Sequence, residues 1–179
     1  HGTCRIRRFS SCTSYDQISK IKMKYLEFTD VEIHELKSEI IGETFEILVK
    51  QPDPQILSLF GNKPLPVVYG TDANLSAGGY INTLEGLLLG GEIPPVLFIG
   101  IRYKLGDEPD FMQFVTNRTR EFTPTEDVEN QKLMEQMTLR EVKGGGAENF
   151  LKFLTTELRD WVSERFNVSD DTTYIGDSM

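Results

Sequence analysis

The residues with the clearest chemical potential stand near the end of the sequence, at Gly176-Asp177-Ser178. A Gly-x-Ser triplet forms the first three positions of the Gly-x-Ser-x-Gly nucleophile elbow, in which a sharp turn between a strand and a helix exposes the serine hydroxyl. Glycine and serine are so common that one such triplet is expected by chance in a chain of 179 residues. The value of Ser178 as a nucleophile therefore depends on the elements that precede it.

Hydrophobic patterning before this triplet predicts strands of two kinds. Alternating apolar positions predict an antiparallel pair, 26–36 and 42–50, joined by a tight turn at Gly42. Continuous apolar runs are typical of strands that a parallel sheet buries on both faces, and they occur at 66–69 and 96–101. A last, short strand is predicted immediately before the Gly-x-Ser triplet, over 172–175.

The segments between these strands predict helices and loops. Apolar periodicity predicts helices over 80–89 and 147–166, the second with Phe150, Leu154, Leu158, Trp161 and Val162 as its core-facing stripe. Prolines and glycines predict loops over 51–64 and 70–79. The long polar segment 102–143 is expected to be mainly loop, with a helix between 126 and 140.

The resulting order predicts an α/β class. An antiparallel strand pair, then parallel βα units, then a candidate nucleophile after the fifth strand is the order of the α/β-hydrolase fold. The chain is therefore expected to be the N-terminal part of such a domain, incomplete at its C-terminus. We expect residues 23–179 to form this part of a single domain, and residues 1–22 to be a non-native or disordered extension.

Composition and charge limit the functional classes. The formal net charge is −9, and after the basic stretch 1–24 the chain holds 13 basic and 27 acidic residues. An acidic body repels phosphate backbones, so nucleic-acid binding is not expected. No apolar run is long enough for a membrane span and no signal peptide is visible, which favours a cytoplasmic location. Both cysteines fall within residues 1–22, which leaves the remaining chain without a thiolate metal site.

Four segments of the chain carry a resemblance to one known family. They are Val68-Tyr-Gly-Thr-Asp-Ala-Asn74, Arg118-Thr-Arg-Glu-Phe-Thr-Pro124, Gly144-Gly-Gly-Ala-Glu-Asn-Phe150 with its following helix, and Tyr-Ile-Gly-Asp-Ser-Met179. Together they resemble the Putative esterase family of α/β hydrolases, which includes trilactone siderophore esterases and esterase D-like enzymes. The second segment is similar to the family's Arg-x-x-Asp-Phe-Thr-Pro, with Glu121 in place of Asp, and the first is similar to its Leu-Asp-Gly-Asn loop, with Ala73 in place of Gly.

The resemblance implies a role for each matching residue. Ser178 is the expected nucleophile, which attacks the carbonyl of a small-molecule ester to give an acyl-enzyme. The backbone N–H groups of Met179 and Ala73 are the expected oxyanion donors. Arg118 adds positive charge near the oxyanion or holds an anionic substrate, and a surface salt bridge is its alternative role. Asp177 is an elbow residue rather than the triad acid, because it is the chain neighbour of the serine.

The base and the acid of a triad are not found among these residues. The fold requires the order serine, acid, histidine, whereas both histidines, His1 and His34, precede Ser178. The prediction is therefore a serine carboxylic ester hydrolase that is inactive as the chain stands, without metal or cofactor. The alternatives are an acyltransferase of the same fold and a non-catalytic fragment or binding module, and the sequence leaves the exact ester and the oligomeric state open.

Overall fold

A computed structural model describes residues 30–105 and 111–177 of the chain. Within these ranges the strands are β1 (Glu32–Lys37), β2 (Thr44–Lys50), β3 (Leu65–Gly70), β4 (Leu97–Tyr103) and β5 (Val168–Ile175). The helices are α1 (Pro54–Leu59), α2 (Ala73–Leu89), α3 (Phe111–Phe122), α4 (Val128–Thr138), α5 (Ala147–Thr155) and α6 (Glu157–Ser163). The predicted extension, residues 1–22, lies outside the described residues and stays a prediction.

The strands form one mixed sheet in the order β1-β2-β4-β3-β5. The pairs β1–β2 and β2–β4 are antiparallel, whereas β3 pairs in parallel with both β4 and β5. The predicted turn between β1 and β2 is confirmed, because Gly42 has φ +82° and its N–H donates to the Ser38 carbonyl at 2.9 Å. Because β3 and β5 are parallel neighbours, their carboxyl ends lie side by side at the same end of the sheet.

Helices cover both faces of this sheet. On one face, α3, α5 and α6 bury aromatic and aliphatic side chains against the strands, and Phe153 stacks on Phe45 with ring centroids 4.6 Å apart. On the other face, α2 packs its small residues Ala73 and Ala77 against Leu48. The predicted stripe of the 147–166 segment is confirmed as core packing, except that Trp161 is only partly buried.

Several element predictions were wrong. The 51–64 loop contains α1, which begins where the Asp53 carboxylate accepts a hydrogen bond from the Gln55 N–H at 2.7 Å and Pro54 occupies the first turn. The predicted loop 70–79 is helical from Ala73 onward, since tertiary packing of the α2 face outweighs the low helix propensity of its glycines. The predicted helix 147–166 is two helices that meet at Thr156, whose φ of −123° is not helical.

The segment 102–143 is also more ordered than predicted. The expected helix between 126 and 140 is confirmed as α4, and a further helix, α3, precedes it. The last strand begins at Val168 rather than at 172. No helix within the described ranges is long and apolar enough to cross a membrane.

Candidate active site

The ends of β3 and β5 place two short loops side by side. Gly70 and Ile175 are register partners, and the Thr71 N–H donates to the Ile175 carbonyl at 3.0 Å. After β3 the chain turns sharply into α2 at Asp72, whose φ is +55°. Ligands of α/β sheets bind outside the carboxyl ends of the strands, so this junction is the expected position for a site.

The Asp72 carboxylate forms a buried ion pair with Arg118 of α3. The Arg118 Nε lies 3.0 Å from both carboxylate oxygens, and the Asp72 side chain is only 2% exposed. Burial raises the pKa of Asp72, and the hydrogen bonds and positive charge of Arg118 oppose this rise. The pair joins two elements that lie 46 positions apart in the sequence.

Arg118 also contacts the loop that precedes Ser178. Its Nη2 donates to the Asp177 carbonyl at 3.1 Å, so a single guanidinium connects the ends of β3 and β5. The Ser76 hydroxyl of α2 donates to the Asp177 carboxylate. Asp177 is therefore held through both its carbonyl and its side chain.

Ala73 is the first residue of α2, where backbone N–H groups have no partner within the helix. The positive φ of this loop belongs to Asp72 and not to Ala73, so alanine causes no backbone strain at the position where glycine is usual in the family. Next to it, the Asn74 side chain accepts from the Tyr103 N–H at 2.9 Å and donates to the Tyr103 carbonyl at 3.1 Å. These bonds fix the start of α2 against the end of β4.

Gly176 lies where any side chain would collide with the neighbouring loop. A Cβ added there would stand 2.7 Å from the Thr71 Oγ1, closer than real Cβ contacts. A side chain at position 176 would therefore force the Thr71 side chain to shift, which favours glycine at this position of the triplet.

A cleft of about 650 Å³ opens beside these loops, between the start of α2 and the helices α3 and α4. Its volume falls within the range of small-molecule sites. Its lining includes Asp72, Arg118 and Asp177, and a mainly apolar wall that contains Leu75 and Met134. Within residues 30–105 and 111–177, no group of three His, Cys, Asp or Glu side chains is placed to hold a metal ion.

Of the four site residues predicted from the sequence, the structure brings two together. Ala73 and Arg118 lie at the same edge of the sheet, on either side of Asp72. Ser178 and Met179 lie outside the described residues, so their roles stay predictions. Sequence reasoning gave no role to the Asp72 carboxylate, because the resemblance of its loop concerned a backbone N–H.

His34 lies far from this site. It is on β1 at one edge of the sheet while β5 forms the other edge, and four strand spacings of about 4.8 Å separate them by roughly 19 Å. Its ring packs edge-to-face with Trp161, with ring centroids 5.4 Å apart, and its Nε2 lies 3.0 Å from the Glu32 carboxylate. His34 is therefore part of the β1 surface and not of the site.

Comparisons with known proteins agree with this architecture. The BES protein from Bacillus cereus superposes with a TM-score of 0.61 at 19% identity, over 86% of this chain and 53% of that chain. The IroE-like serine hydrolase from Shewanella oneidensis gives 0.64 at 24% identity, over 82% and 42%. Siderophore hydrolase EstB from Aspergillus nidulans gives 0.57 at 21% identity, over 87% and 51%.

The chain thus spans about half the length, or less, of these neighbours. Likeness at such low identity shows the fold, and the predicted α/β-hydrolase fold is confirmed. Among curated proteins, none matches the chain significantly. A family model described as Putative esterase matches residues 38–179, which confirms the resemblance found in the sequence. Because this match covers most of the chain, the protein belongs to the Putative esterase family.

Proposed function

We propose that the protein is a serine carboxylic ester hydrolase in which Ser178 is the nucleophile. The observation that carries this proposal is the position of Asp177, which Arg118 and Ser76 hold beside the N-terminus of α2. Asp177 itself follows the carboxyl end of β5, and its carboxylate accepts a hydrogen bond from Ser76 in the first turn of α2. We propose that Ser178, the next residue in the sequence, faces the first N–H groups of this helix. That is the arrangement in which an elbow serine meets its oxyanion donors.

The reaction would proceed through an acyl-enzyme. The Ser178 Oγ attacks the ester carbonyl carbon, and a general base takes its proton. The N–H groups of Met179 and Ala73 stabilise the negative charge on the carbonyl oxygen, and the base then returns the proton to the leaving alcohol. Water repeats the cycle on the acyl-enzyme and releases the acid. Loss of one such oxyanion donor costs about 3–4 kcal/mol of transition-state stabilisation.

Arg118 would support this chemistry by holding the two loops of the site in place. Its positive charge lies beside the loop between β3 and α2. Its contacts with Asp72 in this loop and with Asp177 after β5 fix the two loops relative to each other. Preorganised donors of this kind act without reorganisation during the reaction.

The base and the acid would come from the part of the protein that corresponds to the remainder of the neighbours' chains. His34 is excluded by its distance from β5. For this reason we propose that the 179-residue chain alone does not turn over esters. The family description Putative esterase, and the solved neighbour from Shigella flexneri named enterobactin esterase, support an ester as the bond that is cleaved.

Hydrolysis of p-nitrophenyl esters by the product of the complete open reading frame tests the proposal. Ser178→Ala should lower kcat by at least about a thousandfold. Ser169→Ala, at a half-buried position near the start of β5 and at the opposite end of the strand from Asp177, is the matched control and should leave kcat unchanged. An S178A protein that keeps the wild-type rate would show that another residue is the nucleophile.

A further inference from the structure

The cleft that Asp72, Arg118 and Asp177 line has a mainly apolar wall. The side chains of Leu75, Phe111, Phe114, Val115 and Met134 line it between α2, α3 and α4. Phe111 and Phe114 stack with ring centroids 6.1 Å apart, and the half-buried Phe111 supplies the accessible aromatic surface, since Phe114 is only 3% exposed. A surface of this kind gains free energy when it covers carbon atoms of a ligand.

The charges of the cleft do not favour an anion. Arg118 is the sole cation among its described lining residues, and its Nε already bonds both oxygens of the buried Asp72 carboxylate. Two further carboxylates line the cleft. Asp127 accepts hydrogen bonds from backbone N–H groups at the start of α4, and Asp177 accepts one from the Ser76 hydroxyl. These donors are neutral, so neither contact cancels the negative charge of its carboxylate.

We propose that this cleft takes one uncharged, apolar arm of the ester and disfavours substrates that carry a negative charge on that arm. An anionic group would meet the carboxylates of Asp127 and Asp177, whereas the cation nearest to it is paired with Asp72. The cleft volume of about 650 Å³ accommodates an arm of several carbon atoms. This inference rests on the proposed esterase function and names the substrate class of the same site.

Three esters of matched size test this inference with the product of the complete open reading frame. Phenyl pentanoate is neutral, monophenyl glutarate carries a carboxylate on the acyl arm, and the pentanoate ester of 4-hydroxybenzoate carries one on the alcohol arm. We expect kcat/KM for one of the two anionic esters to be at least about tenfold below that of the neutral ester. Within a neutral series, each added methylene should raise kcat/KM about two- to fourfold until the cleft is full.

A cation placed in the apolar wall should largely remove the discrimination against the anionic ester. Met134→Lys should raise the kcat/KM of the disfavoured anionic ester about tenfold relative to the neutral ester. Met137→Lys is the matched control, because Met137 is on the same helix, is 52% exposed and does not line the cleft. Leu75→Lys provides a second variant at a site that is 58% exposed, where a lysine does not disturb the core.

The outcomes separate this inference from the proposed function. Equal rates for all three esters, or equal effects of M134K and M137K, would overturn the neutral-arm assignment while the esterase function stands. No hydrolysis of any ester by the wild-type protein, or an S178A protein that hydrolyses esters at the wild-type rate, would instead overturn the proposed function.

Discussion

Replacement of Arg118 by methionine should destabilise the protein because it leaves the Asp72 carboxylate buried without its cation. The Asp72 side chain is 2% exposed and that of Arg118 17% exposed, so water compensates little for the lost pair. Removal of one partner of a buried ion pair costs about 3–5 kcal/mol. We therefore expect R118M to lower the free energy of unfolding by about 3 kcal/mol at pH 8.

The loss should depend on pH in a definite direction. Burial already raises the pKa of Asp72, and Arg118 opposes this rise, so removal of Arg118 should raise this pKa further above its unfolded value. The folded variant then binds a proton that the unfolded chain releases, and its stability increases as the pH falls. Urea denaturation should therefore show a smaller loss at pH 5 than at pH 8.

A double-mutant cycle supplies the control. Asp72→Asn removes the charge and keeps a side chain of similar size, and the R118M/D72N double variant removes both charges. We expect the double variant to be more stable than the sum of the single losses implies, with a coupling of about 1.5–3 kcal/mol. Additive losses, or an R118M loss below about 0.5 kcal/mol, would refute the reasoning that Arg118 compensates a buried carboxylate.

Two further predictions concern neighbouring groups. Gly176→Ala should abolish hydrolysis because its Cβ would stand 2.7 Å from the Thr71 Oγ1. The double variant T71A/G176A lacks this oxygen and should recover activity. The control T71V/G176A keeps an atom in the Oγ1 position and should stay inactive. Burial raises the pKa of Glu121 to about 7 although Arg120 donates to it at 2.6 Å, so stability should fall by up to about 3 kcal/mol as the pH rises from 4.5 to 7. E121Q should flatten this part of the pH profile in urea denaturation, and an unchanged profile would assign the titration to another group.

The sequence predicted the sheet well because its signal is local. The apolar runs of β3 and β4 are continuous, as expected of strands buried on both faces, and alternation marked β1 and β2. The helix α3 was missed because its sequence mixes apolar residues with Thr, Asn and Arg, and its stability depends on packing by Phe114 and its neighbours.

The candidate site was predicted only in part, and the reason is sequence distance. The placement of Ala73 and Arg118 at one site followed from short segments that resemble a family, and the oxyanion role of the Ala73 N–H stays a prediction. The ion pair between Asp72 and Arg118 spans 46 positions, and the bond from Arg118 to Asp177 spans 59. Contacts at such separations depend on how the sheet orders its strands, which no local pattern encodes.

The central claim is that Ser178 is an activated nucleophile, and covalent labelling tests it most directly. The product of the complete open reading frame should be incubated with a fluorophosphonate probe and analysed by intact mass and peptide mapping, with Ser178→Ala and Ser169→Ala in parallel. The account predicts one label per chain on the peptide that contains Ser178, absent in S178A and retained in S169A. A label that persists in S178A, or no label on an active wild-type protein, would contradict it.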